Sequence, residues 1–146
     1  MESRADEAEG LFNGGFNCAQ SVLTACGMSA GIDRGTALRV ASGFGGGMGS
    51  MGETCGAVTG AFMVIGLRLG GVDASDRRAK DVVRDTVREF ARRFRDRTGA
   101  LLCRDLIDCD LSTEEGRRKA AETDITRTLC PKLVRDAADI LAELLD

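Results

Sequence analysis

Apolar residues recur at spacings of three and four along almost the whole chain, and no stretch alternates apolar with polar residue by residue. That is the period of a helix, so the pattern predicts an all-α protein: a compact bundle of several helices. Ala5, Ala8, Leu11 and Phe12 make the first apolar stripe, which stops at Gly14-Gly15. Asn17 suits the N-cap of a second helix carrying Ala19, Val22, Leu23 and Ala25 and ending near Gly27. A short helix is expected over Arg34 to Ser42. A glycine-rich loop follows, and then Thr54 is positioned to cap a helix through Cys55, Val58, Phe62, Ile65 and Leu69, closed by Gly70-Gly71. Gly56 and Gly60 lie one turn apart on it, as do Ala57 and Ala61, so another backbone can come close.

From about Ser75 to Arg97 a longer helix is expected, with Ala79, Val83, Val87, Phe90 and Phe94 inward. Its remaining faces are Arg and Asp, and pairs such as Asp81–Arg84, Asp85–Arg88 and Glu89–Arg93 suit a solvated side. Gly99 ends it. A short helical piece is predicted over Cys103 to Asp108. Ser112 with Glu115 has the form of a capping box for another helix. The last helix is expected to open at Cys130-Pro131, because proline fits a first turn, and to bury Val134, Ala137, Ala138, Leu141, Leu144 and Leu145.

The length of 146 residues fits a single domain, residues 1–146, large enough to bury a core. The net charge of −3, with acidic and basic residues interleaved, gives no footprint for nucleic acid. The longest apolar run, Ala57 to Leu69, is too short to span a bilayer, and the start has no signal-peptide pattern. The expectation is a cytoplasmic protein with neither nucleic acid nor membrane as partner.

Histidine, tryptophan and tyrosine are absent. Ser-His-Asp and Cys-His catalysis and Cys/His zinc sites are thereby removed. The six cysteines carry what reactive chemistry remains, and in a reducing compartment such a set points to metal binding or redox work. Cys18, Cys55 and Cys130 fall at expected helix starts, where free N–H groups and the helix dipole favour thiolate. Cys103 follows a glycine-ended helix and can open another. Cys26 and Cys109 differ. Cys26 sits near a helix end, about 12 Å along the helix from Cys18, too far for a disulfide. Cys109 comes six residues after Cys103, about 240° around if that piece stays helical. Both read as packing or incidental thiols.

"GFGGGMGSMGETCGAVTGA", Gly43 to Ala61, places seven glycines between Gly43 and Gly56. Either the backbone there takes turns closed to other residues, or something lies against it. Gly47-Met48-Gly49-Ser50-Met51-Gly52 matches G-x-G-x-x-G but has no preceding strand and no βαβ context, so it is not read as a dinucleotide site. No Gly-Lys-Ser/Thr follows, and no C-x-x-C occurs.

The order "NCAQSVL", "ALRVASGFGGGMGSMGETCGAVTGAFMVIGL", "CRDLI", "CPKLVRDAADI" resembles the C_GCAxxG_C_C family, redox-active proteins named for their cysteine pattern. The resemblance covers nearly the whole chain. The four motif cysteines fall on Cys18, Cys55, Cys103 and Cys130, and GC-A-x-x-G is represented by Cys55-Gly56-Ala57-Val58-Thr59-Gly60. Thr54 stands where the pattern has its glycine before the cysteine. The resemblance implies a redox or iron–sulfur role, more as an electron-transfer or accessory protein than a stand-alone enzyme, with a redox partner protein and a homodimer as expected partners. The four cysteines would then be thiolate ligands of a [2Fe–2S] or [4Fe–4S] cluster, either of which takes four thiolates. Gly45, Gly46, Gly47 and Gly49 would wrap the cluster and offer N–H groups to its sulfurs. Met48 and Met51 could shield it, or simply pack. Glu53 could hydrogen-bond or ligate, or be a helix-start carboxylate. Two alternatives stay open: a metal-free thiol–disulfide protein using the same cysteines, and a structural zinc domain with four cysteine ligands, disfavoured by the lack of closely spaced cysteine pairs.

Overall fold

The computed structural model describes residues 2–146 and contains, among them, eight α-helices: α1 (Arg4–Asn13), α2 (Cys18–Gly27), α3 (Arg34–Val40), α4 (Gly56–Leu69), α5 (Arg77–Thr98), α6 (Cys103–Leu106), α7 (Glu114–Thr123) and α8 (Ile125–Leu145). The only β pairing among those residues is one isolated antiparallel bridge, Thr54 to Leu102. The expected all-α bundle is what forms.

Helix α2 is the centre. It packs on α1, α3, α4 and α8, while α5 lies across α4 and α8. The caps explain where the early helices begin. Ser3 and Asp6 form a capping box on α1, and Asn17 and Gln20 form one on α2, with Asn17 Oδ1 accepting from Gln20 N at 2.8 Å. Helices α2 and α4 approach closely because α4 offers only hydrogen at the crossing. A Cβ on Gly60 would meet Ala19 O at 2.9 Å, and one on Gly56 would meet Ala19 N at 2.8 Å. The core then fills with Val22, Leu23, Val58, Val64, Ile65, Phe90, Phe94, Val134 and Ile140. Phe90 stacks on Phe94 at 5.9 Å and takes the edge of Phe62 at 6.0 Å.

Several boundaries differ from expectation. The N-cap of α4 is Cys55, not Thr54, because Thr54 is held in the bridge to Leu102. Helix α7 is capped by Thr113, whose Oγ1 accepts from Gly116 N at 2.9 Å; Ser112 instead bonds Asp110. Of the expected pairs on α5, Asp81–Arg84 and Glu89–Arg93 form, while Asp85 meets Arg84.

The largest difference is α8, which opens at Ile125 and carries Pro131 inside it. Ile125, Leu129 and Leu133 continue one buried stripe through the proline, and that burial outweighs the single hydrogen bond proline forgoes. Cys130 is therefore not at a helix start, and the argument from the helix dipole does not apply to it.

A second, smaller apolar cluster stands apart from the main one: Cys103, Ile107, Cys109, Ala120 and Cys130. Phe12, Cys18 and Leu129 touch both clusters.

Candidate functional site

Cys18, Cys55, Cys103 and Cys130 come from four separate helices and line one cavity of about 270 Å³. Cys18 is the first residue of α2, Cys55 caps α4, Cys103 opens the short α6 and Cys130 lies in the second turn of α8. The rest of the wall is mostly apolar, from Phe12, Leu106, Ile107, Leu111 and Leu133. All six cysteines are free, and of the four only Cys18 is more than slightly exposed.

The thiols feel one another. Cys18 is held well above the usual thiol range, first by hydrogen bonding with Cys130 and Cys55 and then by burial. Cys55 is shifted down, chiefly because the Cys18 S–H donates to it. No N–H makes a full cap bond to the Cys55 sulfur, but the amides of Ala57 and Val58 add to the downward pull against burial. Burial, followed by the charges of Cys55, Cys130 and Cys109, pushes Cys103 up to about 12. Cys55 is thus better able to ionise than Cys18 or Cys103.

Glycines of the loop divide into two groups. Gly46 and Gly47 line the cavity; Gly45 and Gly49 do not. Gly45 packs on Asn17, where a Cβ would sit 2.9 Å from the Asn17 Cβ, and Gly49 faces open space. Gly46 to Ser50 is a continuous left-handed run, with φ of 62°, 72°, 65°, 56° and 58°. That run closes on itself: Met48 N donates to Phe44 O, Gly49 N to Gly43 O, Ser50 N to Gly45 O, Gly52 N to Gly46 O and Glu53 N to Gly47 O. Among the described residues, the N–H groups of Gly46 and Gly47 reach no protein acceptor. Two residues with unpaired backbone donors therefore line a cavity rimmed by cysteines.

The loop is fixed to α6 by backbone bonds from Cys103 N to Glu53 O (2.6 Å) and Cys55 N to Leu101 O (2.8 Å). Neither Met48 nor Met51 lines the cavity, and Met51 is exposed. Glu53 is exposed and pairs with Arg104 at 3.4 Å. Cys26 is sealed in the main core, remote from the cavity. Cys109 is buried behind Cys103 in the small cluster, outside the cavity wall. Its placement comes from Asp108, a left-handed residue (φ 54°) that turns the chain back, so an unbroken helical count does not apply. The apolar wall residues Phe12, Leu106 and Leu111 were not singled out from the sequence as site residues, since each reads equally as core.

Among the described residues, no group of three or more Cys, Asp or Glu side chains is arranged to hold a single metal ion. No helix among them is long and apolar enough to cross a membrane. No curated protein and no solved structure matches the chain. One family model does, over residues 16–144 and thus nearly its whole length, and it takes in all four cavity cysteines. The chain belongs to the family described as "Putative redox-active protein (C_GCAxxG_C_C)".

Proposed function

We propose that the protein holds an iron–sulfur cluster through Cys18, Cys55, Cys103 and Cys130 and passes electrons through it to a redox partner protein. The observation that carries this reading is the cavity: four thiols around about 270 Å³, with the unpaired N–H groups of Gly46 and Gly47 in the same wall. A structural zinc gathers four sulfurs about one point, each about 2.3 Å from the metal. Here the four cysteines line a cavity of about 270 Å³, more room than a lone ion fills. A sulfur-bearing group of several atoms suits that wall better than a lone ion.

When bound, such a cluster supplies one-electron chemistry. The protein's part follows from its own residues. The four cysteines, as thiolates, hold the group. Cys55, whose pKa is already shifted down, gives up its proton more readily than Cys18 or Cys103. Gly46 and Gly47 offer N–H donors to sulfur, a contact that tunes the potential. Phe12, Leu106, Ile107 and Leu133 keep water away.

A second reading has its own support. The Cys18 S–H donates to a Cys55 sulfur that is shifted toward thiolate, the arrangement of a reactive dithiol. Metal and acid-labile sulfide analysis of the full chain purified without air separates the two. Iron and sulfide in equal amounts with a brown colour support the cluster. A colourless, metal-free protein that forms a Cys18–Cys55 disulfide on oxidation supports the dithiol, and stoichiometric zinc contradicts both.

A further inference from the structure

Residues 109–130, comprising the loop after α6, helix α7 and the start of α8, carry Cys130 and close the cysteine cavity from one side. Their polar contacts turn inward. Lys119 Nζ donates to Asp108 O at 2.7 Å and to its carboxylate at 3.1 Å. Arg117 donates to Leu111 O at 3.0 Å, Thr113 Oγ1 to Asp110 O at 2.9 Å, and Arg127 pairs with Asp124 at 3.0 Å. Gly116 lies so close to the Asp110 backbone that no Cβ fits between them, so α7 clamps its own leading loop. Among the described residues, apart from the Cys18–Cys130 thiol contact, no hydrogen bond or ion pair joins residues 111–130 to any residue before Asp108. Apolar contact, through the small cluster and its neighbour Phe12, and the Cys18–Cys130 thiol contact hold this segment on the body.

Both ends of the segment have the form of a pivot. At one end Asp108 is left-handed, with φ of 54°. At the other, Pro131 lies inside α8, so the carbonyl of Arg127 has no amide four residues on to bond. The two clusters also divide here. Ile125, Leu129 and Cys130 pack in the small cluster, while Leu133, Val134 and the following residues pack in the main core. Leu129 and Phe12 are the seam. A shallow surface hollow lined by Phe12, Asn13, Thr126 and Arg127 shares Phe12 and Thr126 with the cysteine cavity. The seam thus reaches solvent.

We infer that residues 109–130 are a hinged cap that swings on Asp108 and Pro131, opening the cavity and carrying Cys130 away from Cys18, Cys55 and Cys103. The other three stay with the body, since Cys103 is tied to Glu53 and Cys55 to Leu101 through the backbone. The cap is the route by which a group enters the cavity or a thiol reagent reaches its sulfurs. The swing belongs to the chain with its cavity empty, since a group ligated by Cys130 would tie the cap to the body, so its failure there would not be a failure of the cluster reading, and the reverse is equally true.

Hydrogen exchange read by mass spectrometry on the full chain, reduced and stripped of any metal by chelation, tests it. Peptides from 109–130 should exchange together, at least about tenfold faster than those from α4 and from 132–145, because they open without global unfolding. Pro131→Ala returns a donor to the Arg127 carbonyl. It should slow exchange over 125–130 and slow alkylation of Cys130 by N-ethylmaleimide, with α4 unchanged. Cys103, in the same cavity, should slow with Cys130, while Cys26, sealed in the main core and outside the cavity, serves as the internal reference for the alkylation. Exchange of 109–130 at the rate of α4 would overturn the inference. So would a Pro131→Ala variant that keeps its α4 protection and leaves Cys130 reacting as fast as before.

Discussion

Gly47 is the residue at which the loop, the α6 cysteine and the cavity meet, and Gly47→Ala is the most informative single change. Its φ is 72°, a region that costs alanine about 1 kcal/mol or more. An added Cβ would lie 2.6 Å from Glu53 N, 2.7 Å from Glu53 O and 2.7 Å from the Cys103 Cβ. Two of those neighbours are backbone, and the third is the stem of a cavity cysteine, so nothing there is a flexible tip that can turn aside. Relieving such overlap in a packed site costs about 1–3 kcal/mol. The sum is about 2–4 kcal/mol, which for a chain of this size is roughly 6–14 °C in Tm. Gly49→Ala isolates the backbone part. Its φ is 56°, yet nothing lies within 4 Å of the new Cβ, so it should lose only about 1 kcal/mol. Thermal melts followed by circular dichroism give the stability difference, and iron per chain gives the effect on the site. Gly47→Ala should keep its helical spectrum, melt well below Gly49→Ala and retain little iron, because relief moves either Cys103 or the loop. Equal melting temperatures and equal iron in the two variants would refute the reasoning.

Gly60→Ala should destabilise by about 1–3 kcal/mol in chemical denaturation, because its Cβ would meet Ala19 O at 2.9 Å and wedge α2 from α4. Cys26→Ser and Cys109→Ser should each keep full iron content, since neither side chain lines the cavity; loss of iron in either would show that the ligand set is different. Burial raises Cys26 from 9.0 to about 12, so the fold holds that proton more tightly than the unfolded chain does. Its contribution to stability is complete below pH 9 and is lost as pH rises toward 12, and Cys26→Ala should flatten that alkaline decline in denaturant titrations of the metal-free protein.

The helices were legible in the sequence because their stripes and caps are local signals. Asn17 before α2 and Gly99 after α5 act within a few residues of the boundary they mark. Pro131 misled for the opposite reason. Proline is a strong local signal, but the Ile125–Leu129–Leu133 stripe is rewarded by burial against distant residues that a local reading cannot weigh. Thr54 is similar, since its partner Leu102 is far along the chain. The sequence separated Cys18, Cys55 and Cys130, and with them Cys103, by expected helix starts; the cavity gathers all four, but for Cys130 that reason fails. The loop was visible as glycine-rich, but not which glycines face the cavity. That depends on the left-handed run from Gly46 to Ser50, in which Met48 and Ser50 share a conformation usually left to glycine. Cys109 packs in the small cluster, as a packing thiol would, although the turn at Asp108 breaks the helical count used to place it.

The central claim is that four thiolates hold an iron–sulfur group in the cavity between α2, α4, α6 and α8. X-ray absorption at the iron edge, on the full chain purified without air, addresses the ligands directly. The account predicts a first shell made only of sulfur, with iron–iron scattering behind it, and a first shell that changes when any one of Cys18, Cys55, Cys103 or Cys130 is replaced by serine. Protein without iron, or iron surrounded by nitrogen or oxygen and indifferent to those four replacements, would contradict it.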